Sequence, residues 1–265
     1  MKIYEIHDEE TKSFIGTLLY YEKEKSFIIE LTDSLDEWNA PLLFTNLVKK
    51  RIYTVPRDLS LLWVKERIIP SGRQNIRDIL NNHKLKKYDE MKFLELAGGR
   101  CSQDSLYIQK AETLPEYVIK RQIYNLKDCT ILGDYQLLCF FNDGLVKKIS
   151  LKELEHIDVI EKITVNAPLF QSAELGNDGY FISFDNSIDI PAWALYKEGQ
   201  KIPVSYEDFL AFAKNNIEDT SSSCDILECS RQNLAYMVKE KQLSPFKENV
   251  KGNLYLKKDV LKNKW

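Results

Sequence analysis

The sequence predicts an α+β protein of three modules: an N-terminal α+β domain, a small domain with an antiparallel sheet, and a C-terminal winged helix-turn-helix. Apolar segments paired across tight turns indicate strands in the first two modules. Two short helices followed by an extended pair are indicated near the end of the chain. Residues 231–265 carry nine Lys and Arg against three Asp and Glu, a net charge of +6, although the whole chain is at −3.

Length and composition fit a globular protein of two or three modules, because 265 residues with 44% hydrophobic side chains can form ordinary cores. No stretch approaches the roughly 18 uninterrupted apolar residues of a membrane-spanning helix. The first residues lack the long apolar core of a signal peptide. We therefore expect a soluble, cytoplasmic protein without a membrane partner.

The first module, residues 1–118, is predicted from one hairpin and two helices. The segments Phe14–Tyr21 and Ser26–Leu31 indicate two strands joined across a short polar turn. Residues 71–80 predict a capped helix with its apolar side chains on one face, and residues 88–97 predict another. The second helix is expected to end at Gly98.

A dense polar cluster at residues 100–107 is the best ligand or partner candidate in this module. Its side chains, together with those at the start of the helix predicted over 71–80, could bind an anion. The candidate residues are Arg73, Gln74, Arg100, Gln103 and Asp104. A plain network of helix caps and loop hydrogen bonds is the favoured alternative. The Gly98-Gly99 pair lacks the Lys-Ser/Thr that completes a phosphate loop.

The second module, residues 119–202, is rich in hairpin signals. Residues 136–141 and 145–151 flank Asn142-Asp143-Gly144, whose residue types tolerate the positive φ of a tight turn. A second pair, 179–184 and 187–190, is joined in the same way through Asp185-Asn186. A short helical or irregular crossover is predicted between the hairpins.

This middle part resembles a small bacterial domain family called DUF2442, over roughly residues 124–197. The residues that carry the resemblance are Phe-Asn-Asp-Gly at 141–144, Leu154, Leu169-Phe170, the segment 184–190 and Ala-Leu-Tyr at 194–196. Phe184 stands where the family usually has a tryptophan, which is a conservative change for packing.

The resemblance implies a small α+β fold with a curved antiparallel sheet and no known catalytic activity. Members of the family lie in small bacterial operons, some beside toxin-like genes, and some carry an added helix-turn-helix. We expect Asp143 and Asp189 to be turn and hairpin residues rather than acid–base groups, since nothing pairs them with a nucleophile or a set of metal ligands.

Residues 203–219 are predicted to connect the middle module to the last one. Ser205 and Asp208 form a capping-box variant that opens a helix through about Asn215. This helix is expected either to pack on the middle module or to pair two protomers. Residues 218–223 are predicted to be a short polar linker, which would let the last module reorient.

The last module, residues 220–265, contains the strongest functional signal. Ser230 is a good N-cap, and it predicts a helix that starts at Arg231 after a break in the apolar periodicity. Apolar positions are supplied by Leu234, Ala235, Met237 and Val238. The N-terminal end of the second helix is the part that meets base edges in helix-turn-helix proteins. The predicted base-contacting residues are Arg231, Gln232, Asn233 and Tyr236.

A wing is predicted at residues 246–256 around Lys251-Gly252-Asn253, and a closing helix follows with Val260 and Leu261 inward. The predicted phosphate-contacting residues are Ser230, Lys239, Lys241, Lys247, Lys251, Asn253 and Lys257. The module resembles the excisionase and MerR-like group in its Ser230-Arg231-Gln232 start, its lysine-rich exit to Leu243 and its terminal Asp259-Val260 segment. Winged helix-turn-helix DNA binding is what this resemblance implies.

These observations predict a bacterial-type transcriptional regulator that binds duplex DNA as a dimer. Residues 1–230 carry the remaining charge of −9, so a basic segment is attached to an acidic body. The main alternative is a protein-interaction or antitoxin-like component of a toxin-antitoxin, phage-defence or counter-defence system. In that case the acidic body would bind a basic protein or a ribonucleoprotein, and the helix-turn-helix would control only its own operon. A lysine-rich surface that is merely solvated is the plainest alternative.

An enzymatic function is not predicted. The three histidines His7, His83 and His156 are isolated, and no catalytic or nucleotide-binding motif is present. Cys101 with a distant histidine is the one nucleophilic pair that spacing leaves open. The five cysteines have no C-x-x-C spacing, which favours small buried side chains over disulfides or zinc. We expect no metal and no cofactor.

Overall fold

The structure is a computed structural model that describes residues 1–154, 159–250 and 252–264. The chain divides into two compact units, residues 1–120 and 121–265. Each unit combines short helices with small antiparallel sheets, which confirms a mixed α/β protein.

The first unit is built on one antiparallel sheet of five strands. Its strands are β1 (Lys2–Asp8), β2 (Phe14–Tyr21), β3 (Ser26–Leu31), β4 (Thr54–Val55) and β5 (Leu106–Ala111), in the order β4-β3-β2-β1-β5. Its helices are a 3-10 turn at Leu42–Phe44, α1 (Thr45–Lys49), α2 (Arg57–Lys65), α3 (Ile76–Asn82), α4 (Glu90–Ala97) and α5 (Glu116–Gln122). The predicted hairpin is confirmed with its bounds, because β2 and β3 pair from Gly16–Leu31 to Tyr21–Ser26.

The core of this unit lies where α2 and α4 cover the sheet. Trp63 of α2, Leu94 of α4 and Phe27 of β3 belong to one buried apolar cluster. Ser60 of α2 is also fully buried, and its Oγ accepts a hydrogen bond from the Ile29 amide at 3.1 Å. The helix thereby satisfies a backbone donor of the sheet that would otherwise be buried unpaired.

Of the two helices predicted in this unit, one begins later than expected and the other is confirmed. The helix expected from residue 71 begins only at Ile76, because Pro70 and the residues after it form turns closed by Arg73 N–H to Pro70 O and Ile76 N–H to Arg73 O. The helix expected over 88–97 is confirmed. It begins at Glu90 after an Asp89 N-cap, and Gly98 ends it at a φ of 61°.

Among its described residues, the second unit has three small antiparallel sheets. Their strand orders are β12-β8-β7-β6, β11-β10-β9 and β13-β15-β14. The strands are β6 (Leu126–Ile131), β7 (Gln136–Phe141), β8 (Val146–Ser150), β9 (Ala173–Leu175), β10 (Phe181–Phe184), β11 (Ile188–Pro191), β12 (Gln200–Lys201), β13 (Ile217–Asp219), β14 (Lys247–Val250) and β15 (Gly252–Leu256). The helices are 3-10 turns at Leu151–Leu154 and Asn177–Gly179, then α6 (Ile160–Thr164), α7 (Ala167–Gln171), α8 (Ala192–Glu198), α9 (Tyr206–Asn216), α10 (Thr220–Leu227), α11 (Arg231–Lys239) and α12 (Lys257–Leu261).

Both hairpins predicted in the middle of the chain are confirmed. Strands β7 and β8 pair around residues 142–145, with Gly144 at a φ of 85°. Strands β10 and β11 pair around Asp185 and Asn186, which have φ values of 51° and 49°. These left-handed conformations are the ones that Asn, Asp and Gly tolerate, so the turn residues fix the strand register. Of the predicted crossover, residues 155–158 lie outside the described residues.

Helix α9 opens with the predicted capping box. The Ser205 Oγ accepts from the Asp208 amide, and the Asp208 carboxylate accepts from the Ser205 amide at 3.2 Å. The helix packs on strand β6 of its own chain, where Asn215 Nδ2 donates to Ile131 O at 3.2 Å. Of the two roles predicted for this helix, packing on the middle sheet is the one that its contacts support.

The polar linker predicted at residues 218–223 is wrong. Ile217–Asp219 forms β13, which pairs with Leu254–Leu256 of β15. The Asp219 carboxylate then accepts from the Ser222 amide and caps α10, which starts at Thr220. Asp, Ser and Thr are typical of linkers and of helix N-termini alike, and here they begin a helix.

Two glycines of the second unit provide a matched test of backbone packing. Gly179 has a φ of 69°, and a methyl group on its Cα would lie 1.8 Å from the carbonyl oxygen of Leu126. Gly144 also has positive φ, but a methyl group there meets nothing within 4 Å. We expect Gly144→Ala to lower the free energy of unfolding by about 1–2 kcal/mol through backbone strain alone. Gly179→Ala should cost clearly more, because β6 must also move. Urea denaturation measures the free energy of unfolding of both variants, and an equal loss in the two would contradict the close approach of Gly179 to Leu126.

The Asp208 carboxylate predicts an acid dependence of stability. It lies 3.0 Å from the Lys148 ammonium. Burial raises its pKa, but hydrogen bonds from Lys148 and Ser205 outweigh burial and hold the pKa below its ordinary value. Because the folded-state pKa lies below that of the unfolded chain, the stabilisation is present at neutral pH and is lost as pH falls through the folded pKa.

We therefore expect Asp208→Asn to be less stable than the wild type at pH 7, and the difference to shrink as pH falls below about 4. Urea denaturation across this pH range measures the difference. The exposed Glu207 on the same turn is the control, since Glu207→Gln should leave stability nearly unchanged at both ends of the range. A pH-independent loss in Asp208→Asn would show that the carboxylate charge is not what stabilises the helix start.

Candidate nucleic-acid interface

The helix pair near the end of the chain is joined by three residues, 228–230. Glu228 adopts a left-handed φ of 52°, and the Cys229 amide donates to the Cys224 carbonyl at 3.0 Å, which closes the end of α10. Ser230 then caps α11 by accepting from the Asn233 amide at 3.2 Å. The predicted break between two helices and the predicted Ser230 cap are confirmed.

The two helices share one small apolar core with the strands and helix that follow. Leu234 of α11 is 1% exposed and packs with Leu227, Leu243, Tyr255 and Val260. Met237 and Val238 are half-buried against the same cluster. We use "C-terminal segment" for residues 217–264, whose elements all contribute to this core or to its three-stranded sheet.

Ala235 was predicted among the apolar positions of α11, but it is exposed. The reason is helical phase, because Leu234, Met237 and Val238 lie at i, i+3 and i+4 on one face. Ala235 belongs instead to the face of Gln232 and Lys239. Small apolar residues give little information about phase, since alanine suits either side of a helix.

The opposite side of α11 is polar and open. Gln232, Asn233 and Lys239 are exposed, and Tyr236 retains 56% of its surface. Gln232, Tyr236 and Lys239 are spaced i, i+4 and i+7, so their side chains follow one stripe of the helix. We call these four residues the α11 polar face. It combines hydrogen-bonding amides, an aromatic ring and a cation.

Arg231 is exposed as well, but it reaches back towards the preceding helix. Its Nη2 donates to the Ser221 Oγ at 2.9 Å. The Asp219 pKa is lowered, first by its hydrogen bond from the Ser222 amide and also by the Arg231 charge. A guanidinium has five N–H donors, so this contact leaves others available at the same edge as the α11 polar face.

The predicted phosphate-contacting residues fall into two groups. Ser230, Lys239, Lys241 and Lys247 are exposed on the C-terminal segment. Asn253 is engaged internally, because its amide and carbonyl both hydrogen-bond to the Thr220 Oγ1, at 3.2 and 3.3 Å, and its Nδ2 donates to the Tyr255 hydroxyl. Lys257 is half-buried. Lys251 lies outside the described residues.

One exposed aromatic side chain was missed by the sequence reasoning. Phe246 is 55% exposed and precedes the exposed Lys247 at the start of the hairpin β14–β15. Its amide donates to the Leu254 carbonyl, so the backbone is held by the sheet while the ring stays open. The signal was an aromatic residue between Pro245 and a lysine, in a segment otherwise treated only as a wing strand.

Polar contacts of Asn216, the residue before the C-terminal segment, and of Lys258 in α12 hold this segment at strand β6. Asn216 Nδ2 donates to Asp128 Oδ1 at 3.1 Å and to the Cys129 carbonyl at 2.6 Å. Lys258 of α12 lies 3.6 Å from the other Asp128 oxygen and donates to the Lys127 carbonyl at 2.9 Å. Burial raises the pKa of Asp128, and the charge of Lys258 opposes that rise.

The ligand cluster predicted in the first unit is divided among separate ion pairs. Arg100 pairs with Glu9, and Asp104 pairs with the buried Arg67. Gln103 is exposed in the same loop, whereas Arg73 and Gln74 are exposed in the turn before α3. These contacts favour the loop-network alternative over an anion site.

Within residues 1–154, 159–250 and 252–264, no helix is both long enough and apolar enough to cross a membrane. The same residues contain no group of three or more His, Cys, Asp or Glu side chains that could hold a metal ion.

Comparison of the chain with protein-family models, with curated proteins and with solved structures gives no match. The resemblances to DUF2442 and to the excisionase and MerR-like group therefore stay predictions.

Two nearby positions of α11, Leu234 and Tyr236, should separate folding from surface function. Leu234→Ala removes a buried side chain and should lower the free energy of unfolding by about 2–5 kcal/mol. Tyr236→Ala removes an exposed side chain and should change it by less than about 0.5 kcal/mol. Thermal or urea unfolding of both variants tests the burial pattern. A large loss of stability in Tyr236→Ala would show that the ring is buried in the core.

Proposed function

We propose that the C-terminal segment is a winged helix-turn-helix that binds duplex DNA, and that the chain is a transcriptional regulator of bacterial type. The observation that carries the proposal is the α11 polar face, which stands open on a helix whose other side is anchored in a core. Helix α10 precedes α11, and the hairpin β14–β15 follows it in the position of a wing. This order of elements supports the proposal, because helix-turn-helix proteins place their second helix in the major groove.

Sequence readout is assigned to the first half of α11. Gln232 and Asn233 have the paired donor and acceptor that match an adenine edge. Arg231 suits a guanine edge through the guanidinium donors left free by Ser221. Tyr236, one turn further along the stripe, offers a ring for apolar contact with a thymine methyl.

Attraction to the DNA phosphate backbone is assigned to the exposed lysines of the same segment. Lys239, Lys241 and Lys247 contribute to the net +6 of residues 231–265, against −9 for the rest of the chain. Phosphate contacts of this kind position a protein on DNA without reading its sequence. Asn253 and Lys257 are assigned a supporting role instead, since Asn253 fastens the hairpin to Thr220 and Lys257 is half-buried.

A module of this size makes few base contacts by itself. We therefore propose that two copies of the chain bind a two-fold site with half-sites about one helical turn apart. The acidic first 230 residues would then mediate pairing or receive a partner.

A second candidate is a protein-interaction function, and one observation favours it. Trp38 and Leu42 of the first unit are 87% and 96% exposed, although large apolar side chains are normally covered. Asp36 and Glu37 precede Trp38 in the sequence, and Glu37 pairs with Lys49 at 3.4 Å, so a basic partner could replace Lys49 at this carboxylate. An antitoxin-like component that binds a basic protein or ribonucleoprotein is the function this surface would serve.

The deciding experiment is to bind the purified full-length protein to fragmented genomic DNA and to sequence the retained fragments. The proposal expects enrichment of a short two-fold motif. The test variant is the full-length triple substitution Gln232→Ala, Asn233→Ala and Tyr236→Ala, which leaves the core untouched. Enrichment that survives in this variant would reject base reading by α11.

Single substitutions should then divide the contacts by kind. Asn233→Ala should cost about 1–3 kcal/mol on the preferred site and relax the preference at one position. Lys239→Ala should weaken all sequences alike and reduce the salt slope by about one unit. Lys197→Ala, at an exposed lysine on α8, is the matched control and should change neither the affinity nor the salt slope. Binding isotherms at several salt concentrations give both quantities.

The two candidate functions give different results in the same preparation. A protein or RNA that copurifies with the wild type and is lost in Trp38→Ala would favour the interaction function. DNA enrichment that is unaffected by Trp38→Ala would favour the regulator.

A further inference from the structure

Two cysteines bracket the turn of the helix pair. Cys224 lies in the last turn of α10 and is 9% exposed, while Cys229 lies in the connection and is half-buried. The Cys229 amide donates to the Cys224 carbonyl at 3.0 Å, which draws the two residues together at the helix end. The pair is therefore assembled by the backbone geometry of the turn.

A second thiol pair in the same unit provides a contrast. Cys129 and Cys139 lie directly opposite each other on β6 and β7. Both are buried, and burial raises the pKa of Cys129 to about 12 and that of Cys139 well above its usual value. A thiol that stays protonated and shielded does not react with oxidants. The residues of both pairs are neighbours, but Cys229 is the one member of the four that is partly exposed.

We propose that Cys224 and Cys229 form an oxidation site for hydroperoxides, which closes a disulfide across the turn between α10 and α11. Cys229 is the residue that attacks, because it is the more exposed of the two cysteines. Cys224 is the residue that resolves the intermediate from its buried position. Burial, followed by the neighbouring Cys229, raises the pKa of the Cys224 thiol, which fits a group that does not react first.

The reaction consumes one hydroperoxide and two thiols. The Cys229 thiolate attacks an oxygen of the peroxide, the O–O bond breaks, and the departing oxygen takes up a proton as an alcohol or water. Cys229 is then a sulfenic acid. The Cys224 sulfur attacks the Cys229 sulfur, an S–S bond forms, the S–O bond breaks, and water leaves with the Cys224 proton. The two thiols lose two electrons and the peroxide gains them.

The disulfide should alter the start of α11. A disulfide holds its sulfurs about 2.05 Å apart, closer than two thiols that are only in contact. The backbone movement that brings the two sulfurs together must occur in residues 228–230. Ser230 in this connection is the N-cap of α11, and Arg231 follows it directly. Weaker DNA binding after oxidation is the expected consequence, and this consequence rests on the proposed DNA-binding function.

The test treats reduced, full-length protein with hydrogen peroxide and maps the cysteine peptides without reduction. We expect one intramolecular link between the peptides of Cys224 and Cys229, with Cys129 and Cys139 still free to be alkylated after unfolding. In Cys224→Ser, a sulfenic acid should be trapped by dimedone at Cys229. In Cys229→Ser, both the link and the trapped adduct should be lost. Cys101→Ser is the matched control, and the link should form in it as in the wild type.

Several outcomes would overturn the site. One is a link that involves Cys101, Cys129 or Cys139 in place of the pair. Another is persistence of Cys224 and Cys229 as free thiols while Cys101 is oxidised. Dimedone trapping at Cys224 in Cys229→Ser would reverse the assigned order of attack.

DNA retention measured before and after oxidation separates this inference from the proposed function. If the reduced protein enriches no DNA, the regulator is rejected, and the peptide map alone still decides the thiol site. If the reduced protein binds DNA and the linked protein binds equally well, the coupling between the disulfide and α11 is rejected.

Discussion

The placement of the helix pair depends on one buried carboxylate of strand β6. Asp128 accepts a hydrogen bond from Asn216, which precedes β13, and pairs with Lys258 of α12. One side chain thereby contacts both the residue before the C-terminal segment and the last helix of that segment. A buried carboxylate without partners would cost several kcal/mol, so the contact favours a single arrangement more than it adds net stability. The raised pKa of Asp128 reflects that cost, with burial as its main cause.

Within the C-terminal segment, β15 is the central strand and the hairpin is fastened to the start of α10. The Thr220 hydroxyl hydrogen-bonds to both backbone groups of Asn253. Helices and hairpin therefore share a sheet, a small core and a side-chain clamp. A surface held in this way loses little conformational entropy when it binds a partner, which is how a small module reaches a useful affinity.

Local signals explain what the sequence could predict. The Asn-Asp-Gly and Asp-Asn turns, the Ser205 box and the Ser230 cap act over a few residues, and each fixed an element close to its observed position. Strand β5 was missed, because it exists through pairing with β1, about a hundred positions away in the chain. Strand β1 was missed although its partner β2 follows it directly in the sequence. Strand β13 has three residues and is defined only by its partner β15.

The same distinction applies to the candidate site. The exposed polar residues of α11 follow from helical phase and could be predicted. The internal contacts of Asn253, and the pairing of Arg100 with Glu9, depend on partners far away in sequence. No short motif announces such partners, so a side chain that looks available in the sequence can already be engaged in the fold.

The pairing of β13 with β15 also determines where this segment can be cut. A fragment that starts at residue 220 keeps both helices and the hairpin but loses the strand that covers one edge of β15. The N–H and C=O groups of that edge would face solvent and could pair with another chain. Such a fragment would tend to aggregate, whereas one that starts before Ile217 carries its own edge protection. When this segment is fused to another protein, the three residues of β13 therefore decide whether the fusion stays soluble.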